Sequence, residues 1–333
     1  MAISSNADFL FLFEASLCNP NGDPDQENKP RMDYDTNTNL VTDVRIKRYI
    51  RDYLKAQGEG IFVDLEGDSK VTMDSKLGSA IKRIWDNDQE MLKVLGSQEL
   101  LKRYQNLKTG DAEKTVSKII NDKPDAPEVN QALLKGLVLG QFIDIRMFGS
   151  AFAIKGFNRS ITGPIQMNWG YSLNKVFLLD SDTIASVMND SNSTFGKDYR
   201  VKYSLIAVHG TINKAAAETT GLSDEDVEKF RNAIWNAISA SPTRSKLNQY
   251  PKLYVEIQYN DGFHNGYFGD LRNLIAVTPK EEGKDREVMA MKDLTLNKEA
   301  LEALLLEQKG LLEDGKPIKD VIIKTSADLQ NVL

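Results

Sequence analysis

Residues 8–17 (DFLFLFEASL) alternate so that Phe9, Phe11 and Phe13 share one strand face and Leu10 and Leu12 the other. Apolar residues on both faces predict a central strand buried on both sides. The polar stretch from Asn19 to Asn39 follows, punctuated by Pro20, Gly22, Pro24 and Pro30. The prolines remove ladder donors, so this stretch is neither helix nor central strand. Residues 42–57 then repeat with helical period, with Thr42 or Asp43 as N-cap. Ile46, Tyr49, Ile50, Tyr53 and Leu54 form the apolar stripe, and Arg45, Arg48, Arg51 and Lys55 lie opposite.

Residues 72–138 carry intermittent apolar positions (Ile81, Ile84, Trp85, Leu92, Leu100, Leu101, Tyr104) and read as mainly helical. Segment 141–154 (QFIDIRMFGSAFAI) is predicted to return to strand, and 161–176 is rich in turn and strand formers. Residues 178–200 are polar and read as an exposed excursion. A strand is expected at 201–212. The helix predicted at 222–239 has Ser223 as N-cap and Asp226 at the capping-box position. Strand 254–259 and one helix near 298–308 complete the pattern. With 58–138 and 178–200 set aside, the order is strand, helix, strand, strand, helix, strand. That is the α+β, ferredoxin-like order of RNA-recognition modules.

Composition narrows the function classes. The 333 residues are 41% hydrophobic and 27% charged, as in globular proteins. A single cysteine, Cys18, leaves no intramolecular disulfide or Cys-rich zinc site, and two histidines, His209 and His264, argue against a His-rich metal centre. The first residues lack the pattern of a signal peptide, and no apolar run reaches the ~20 residues of a membrane span. The expected setting is cytoplasmic, with no membrane partner.

The net charge of −6 argues against wholesale coating of nucleic acid, but charge is unevenly spread. Segments 42–57 and 141–176 are each +3, whereas 280–333 is −3. Basic positions Arg146, Lys155, Arg159 and Arg244 stand among small polar residues. Phe148, Phe152, Phe157, Trp169 and Tyr171 are interleaved with some of them, of which Phe148 and Trp169 read as core.

The loop Asn19–Asp33 (NPNGDPDQENKPRMD) is the most unusual segment. A calcium loop starting at Asp23 fails, because the sixth position is Asn28 and the twelfth Tyr34. Asp23, Asp25 and Asp33 leave a metal-dependent nuclease open. Asn19, Asn21 and Arg31 equally suit polar contact with a nucleic-acid strand, with Gly22 allowing close backbone approach. The basic helix face reads either as solvated or as a phosphate contact. Cys18 reads as a small hydrophobe and His209 as a hydrogen-bonded core histidine. No GxSxG, Walker or HExxH motif is present.

The run from Phe11 to Leu54, with NPNGDP, PRMD and VTDVRIKRYIRDYL, resembles the N-terminal signature of backbone subunits of type I (I-B-like) CRISPR Cascade surveillance complexes, within the RAMP superfamily. DIRMFGSAF, ITGPIQMNWGYSLNKV, AVHGTI and SPTRSKLNQYPKLYVEIQY match further in order, over roughly residues 8–278. The resemblance implies a ferredoxin-like (RRM-like) palm with a helical fingers insertion and a thumb hairpin. The palm would take 1–57 and 139–279, the fingers 58–138, the thumb about 178–202, and an acidic segment 280–333. It implies a non-catalytic subunit that binds CRISPR RNA and stacks head to tail with copies of itself. The filament meets other Cascade subunits and presents the guide for pairing with target DNA in antiviral defence, without cofactor or metal.

The implied RNA-binding residues are Asn19, Asn21, Arg31, Thr42, Arg45, Lys47 and Arg48, then Arg146, Arg159 and Arg244, with Met188 and Phe195 as thumb wedges. The alternatives are a metal-dependent endoribonuclease on the same fold and a protein–protein scaffold.

Overall fold

The computed structural model describes residues 3–64, 73–121, 126–154, 157–185 and 195–329. The chain forms two compact units. One comprises Met1–Ile3, Leu54–Pro164 and Lys214–Glu228; the other comprises Ser4–Tyr53, Ile165–Asn213 and Lys229–Leu333.

The second unit is built on one antiparallel sheet. Its elements in chain order are β1 (Ala7–Cys18), β2 (Thr38–Val41), most of α1 (Asp43–Ala56), β3 (Ile165–Met167), β4 (Gly170–Ser172), β5 (Phe195–Ile212), most of α2 (Asp224–Ala240), β6 (Gln249–Tyr259) and β7 (Ile318–Thr325). In space the order is β7, β6, β1, β5, β4, β2, ending in the short strand Met32–Asp33, with β3 also beside β5.

β1 is paired along its length on both sides, with Phe11 opposite Val208 and Tyr254. Both of its faces are buried. Phe9 packs against Phe230 of α2 and Tyr254, with ring centroids 5.4 and 5.9 Å away. Leu10 and Leu12 join Leu253, Val255, Leu271, Ile275, Leu301 and Ile318 in the opposite core. Leu301 belongs to the helix Glu299–Gln308, so the acidic C-terminal segment supplies the cover for this face. β7 adds a strand beyond β6 (Val255 opposite Ile323) that the sequence pattern did not reveal.

The strand beside β5 is not segment 141–154. It is β3 and β4, which run along Ile212–Ile206 and are interrupted at Asn168–Trp169. The ladder closes across the break through Asn168 N–H to the His209 carbonyl, 3.0 Å. This bulge throws Trp169 outward, leaving it half exposed rather than in the core. Phe148 is buried as expected.

The other unit is mainly helical: Met73–Ile84, Asp88–Leu95, Gln98–Leu107, Ala112–Asn121 and Ala126–Gln141. Ile81, Met91, Leu95, Leu101, Tyr104, Ile119, Leu133 and Leu137 form its core. Asn87 and Ser97 cap two of the helices by accepting from Glu90 and Leu100 N–H.

Helix continues through Gln141 and again over Ile143–Phe148, and strand begins only at Gly149. The apolar run FIDIRMF satisfies either period, and tertiary contacts decide between them. Asp144 is buried and accepts the Phe62 and Val63 N–H groups at 2.8 and 3.1 Å. Arg146 makes a two-pronged ion pair with Asp226 at 2.9 and 2.8 Å. Strand Gly149–Ile154 then pairs with Phe157–Thr162.

Within β5, Gly210 lies against β1 and β3. A Cβ there would sit 2.2 Å from the Phe9 ring and 2.6 Å from the Gln166 carbonyl. Gly210→Ala should therefore cost about 1–3 kcal/mol of stability, read as a lower midpoint of urea unfolding. An unchanged midpoint would show that the Phe9 face is looser than described.

Candidate nucleic-acid interface

The site begins where β1 ends. Leu17 adopts a left-handed backbone (φ 50°), and Asn19 N–H donates to the Ser245 carbonyl at 2.8 Å. The end of β1 is thereby tied to the turn that precedes β6. Buried Asn19 also donates its Nδ2 to the Asn28 carbonyl at 2.7 Å, closing the loop on itself. Gly22–Asp23 pairs with Lys29–Pro30. Gly22 is required by close approach, since a Cβ there would lie 1.9 Å from Asn28 Oδ1. Asp23 caps the single turn Pro24–Gln26 through Asp25 N–H and takes Arg31 Nη1 at 3.2 Å.

Asn21 links the loop to α1. Its Oδ1 accepts from both the N–H and the hydroxyl of Thr42, at 2.8 and 2.9 Å. Thr42 Oγ1 then accepts from Arg45 N–H at 3.2 Å, which makes Thr42 the N-cap. Asn21 and Thr42 are thus positioning residues that fix where the basic face of α1 stands.

The basic side chains divide by their partners. Lys47 bonds Asp43 (3.0 Å) and Gln166 (3.3 Å), and Arg48 pairs with Asp52. Arg31 is shared between Asp23 and the Trp169 ring, 6.0 Å away. Arg244 is exposed and meets Asp198 at 3.1 Å, a carboxylate also held by Arg200. Arg45 lies 4.0 Å over the Tyr49 ring and has no carboxylate partner among the described residues.

Lys246, which sequence reasoning missed, stands in the same neighbourhood. It is half-buried and donates to the Asn19 carbonyl. Burial first, and the Arg45 charge next, push it down to about 8. The signal for it was present in SPTRSK, where Arg244 drew the attention. Cys18 is buried beside it, and burial pushes its thiol up to about 12.

Several buried polar atoms of this neighbourhood lack hydrogen-bond partners: Asn19 Oδ1, Arg31 Nε, Arg45 Nε and Gln249 Oε1. Buried polar groups are nearly always matched, so four such atoms in one neighbourhood are unusual.

The remaining sequence candidates fall elsewhere. Arg146 belongs to the helical unit and is committed to Asp226. Burial pushes the Asp226 carboxyl up, but Arg146 and Ser223 outweigh it and hold it below the ordinary range. Arg159 sits opposite Phe152 in a strand pair, with its side chain outside the described residues. Met188 lies outside the described residues, and Phe195 opens β5 with its side chain likewise outside. Leu178–Ala185 pairs antiparallel with β5 from Leu178↔Val201 to Ala185↔Phe195, with a register shift between Leu179 and Asp182.

His209 is buried with Nδ1 unpartnered, and burial holds it below its ordinary value. Asp33 bonds Thr36 and the Asp35 N–H, which hold its carboxyl below the ordinary range. Among the described residues no group of three or more His, Cys, Asp or Glu is arranged to hold a metal ion. Nor is any helix among them long and apolar enough to cross a membrane.

Comparison with known proteins identifies the family. The model of the family described as CRISPR-associated protein Cas7 matches residues 5–298. A CRISPR-associated protein Cas7 of Haloferax volcanii is 31% identical over 347 aligned positions, spanning 96% of this chain and 90% of that protein. The chain belongs to the CRISPR-associated protein Cas7 family.

Two solved structures are similar at lower levels. A chain of a CRISPR RNA-guided surveillance complex in a pre-nicking state has TM-score 0.45 and 13% identity, covering 77% of this chain and 79% of that one. A chain of another CRISPR RNA-guided surveillance complex has TM-score 0.38 and 11% identity, covering 79% and 73%.

Asn21→Ala strands two donors of Thr42 and should cost about 1–3 kcal/mol. Hydrogen exchange should show faster exchange in the first turn of α1 and in the loop. Unchanged protection there would mean that Asn21 does not hold the loop to the helix.

Proposed function

We propose that the chain is a non-catalytic CRISPR-RNA-binding subunit that stacks head to tail into a filament along the guide and presents it for pairing with target DNA. Membership of the Cas7 family supports this reading, together with one structural observation. The loop after β1, the first turns of α1 and the turn before β6 converge, and they carry Arg31, Arg45, Arg244 and Lys246 with unmatched polar atoms between them.

Asn19, Arg31, Arg45 and Arg244 are the direct contacts in this reading. Asn21, Thr42, Lys47 and Arg48 shape the surface that carries them. Arg159 is retained as a contact, and Met188 and Phe195 as wedges, on the family resemblance. Arg146 is better explained by its pair with Asp226.

The palm is ferredoxin-like in this account. Counting β1, β3–β4, β5 and β6 as strands one to four, their spatial order 4-1-3-2, all antiparallel, favours that assignment. The helical unit would supply the fingers, and the hairpin beginning at Leu178 the thumb. RNA is not expected to lie across the sheet as on a recognition module, because Leu10 and Leu12 are already covered. The partners are CRISPR RNA, further copies of the chain and other Cascade subunits, in the cytoplasm. Phosphate contacts dominate such binding and carry no sequence information.

Purified protein should therefore bind single-stranded RNA without Mg²⁺, leave it intact, and lose affinity steeply with salt. Arg31→Ala combined with Arg45→Ala should weaken binding uniformly across sequences and lower the salt slope by about 0.7 per lost phosphate contact. A sequence-selective loss would contradict backbone contact. RNA cleavage abolished by Asp33→Ala would point to an endoribonuclease instead.

A further inference from the structure

Among the basic side chains around the end of β1, most have a carboxylate. Arg31 has Asp23, Lys47 has Asp43, Arg48 has Asp52, and Arg200 and Arg244 share Asp198. Arg45 and Lys246 have none among the described residues. They are nevertheless placed within each other's field, since the charge of Arg45 lowers the pKa of Lys246.

A continuous set of contacts fixes them there. Lys246 Nζ donates to the Asn19 carbonyl, and the Lys246 carbonyl accepts from Gln249 Nε2 at 2.9 Å. The same Gln249 Nε2 donates to the Tyr49 hydroxyl at 3.1 Å, and the Tyr49 ring carries the Arg45 guanidinium 4.0 Å above it. Asn19, Tyr49 and Gln249 are almost fully buried, so this is a built arrangement and not two mobile side chains meeting at the surface. Arg45 Nε is buried with no acceptor.

Two cations held together without a counter-ion repel each other and are poorly solvated, which costs stability unless an anion is supplied from outside. A phosphodiester fits that vacancy of charge. Its two non-bridging oxygens can each accept a charge-assisted hydrogen bond, one from the ammonium and one from the guanidinium.

We infer that Lys246 and Arg45 together grip one phosphate of the bound RNA strand, with Lys246 the member that no sequence motif had assigned. The inference rests on the RNA-binding reading above and adds to it a specific contact that depends on protonation. The groups facing Lys246 are the Asn19 carbonyl, Arg45 and Cys18. The Cys18 thiol stays neutral through mildly alkaline pH, so the charge that changes there is that of Lys246. In the free protein it gives up its proton as pH rises through about 8. Below that value it is charged and ready to bind phosphate; above it, RNA must first restore the proton.

The test is fluorescence anisotropy with labelled oligoadenylate RNA, whose bases do not titrate over the range used, at constant salt from about pH 7 to about pH 9.5. Wild-type affinity should be level below about pH 7.5 and fall above about pH 8, whereas Lys246→Arg should show no fall. Near pH 7, Lys246→Gln should bind about tenfold more weakly, with a salt slope smaller by about 0.7.

Binding by the wild type with a flat pH profile, and a Lys246→Gln slope equal to wild type, would overturn the phosphate contact alone. Failure of the wild type to bind at all would remove the RNA-binding reading and this contact with it. The wild-type pH profile decides the matter even where Lys246→Gln fails to fold.

Discussion

The sheet-forming unit depends on the burial of β1. It is bonded to β5 and β6 along its length, with aromatic side chains under α2 on one face and leucines under Leu271, Ile275 and Leu301 on the other. A strand in that position cannot slip by one residue, because every side chain would change faces. Its last residue, Cys18, is therefore a fixed point. The polar loop that follows is tied back through Asn19 to Ser245 and forward through Asn21 to Thr42. The position of the basic residues of α1 is inherited from this strand through two asparagines.

The same constraint shapes the proposed RNA site. A sheet with one open face could stack bases on it, but here both faces are spent on core. Polar chemistry is left to the strand end, where loop, helix and turn meet. The acidic C-terminal segment thereby acquires a structural meaning: Leu301 and Ile318 cover the second face, while its charges stay outward. The net charge of −6 coexists with a local cationic site because much of the remaining charge is matched in place, as in Arg146–Asp226 and Arg231–Glu256.

Much of this frame was legible in the sequence. The doubly apolar run 8–17, the capped helix at 42–57, and the Ser223 and Asp226 pair at the start of α2 each carry a local signal, and each appears in place. Elements decided by distant contacts were not legible. Segment 142–148 is apolar at both strand and helix periods, and Asp144 and Arg146 settle it through partners far along the chain. β3 and β4 are three residues each, too short to show alternation, and their interruption expels Trp169.

At the candidate interface, residue types were readable but roles were not. Asn21 has the same chemistry whether it meets RNA or caps a helix. Only the fold shows which arginines already have a carboxylate and that, among the described residues, Lys246 has none. In the proposed reading, RNA runs past the end of β1 and not over the sheet or the helical unit. Ultraviolet crosslinking of bound RNA, followed by mass spectrometry of the crosslinked peptides, tests that claim most directly. Crosslinks within residues 17–34, 42–49 and 241–250 are the predicted result. Crosslinks confined to residues 73–141, or to residues 251–259 and β7, would contradict it.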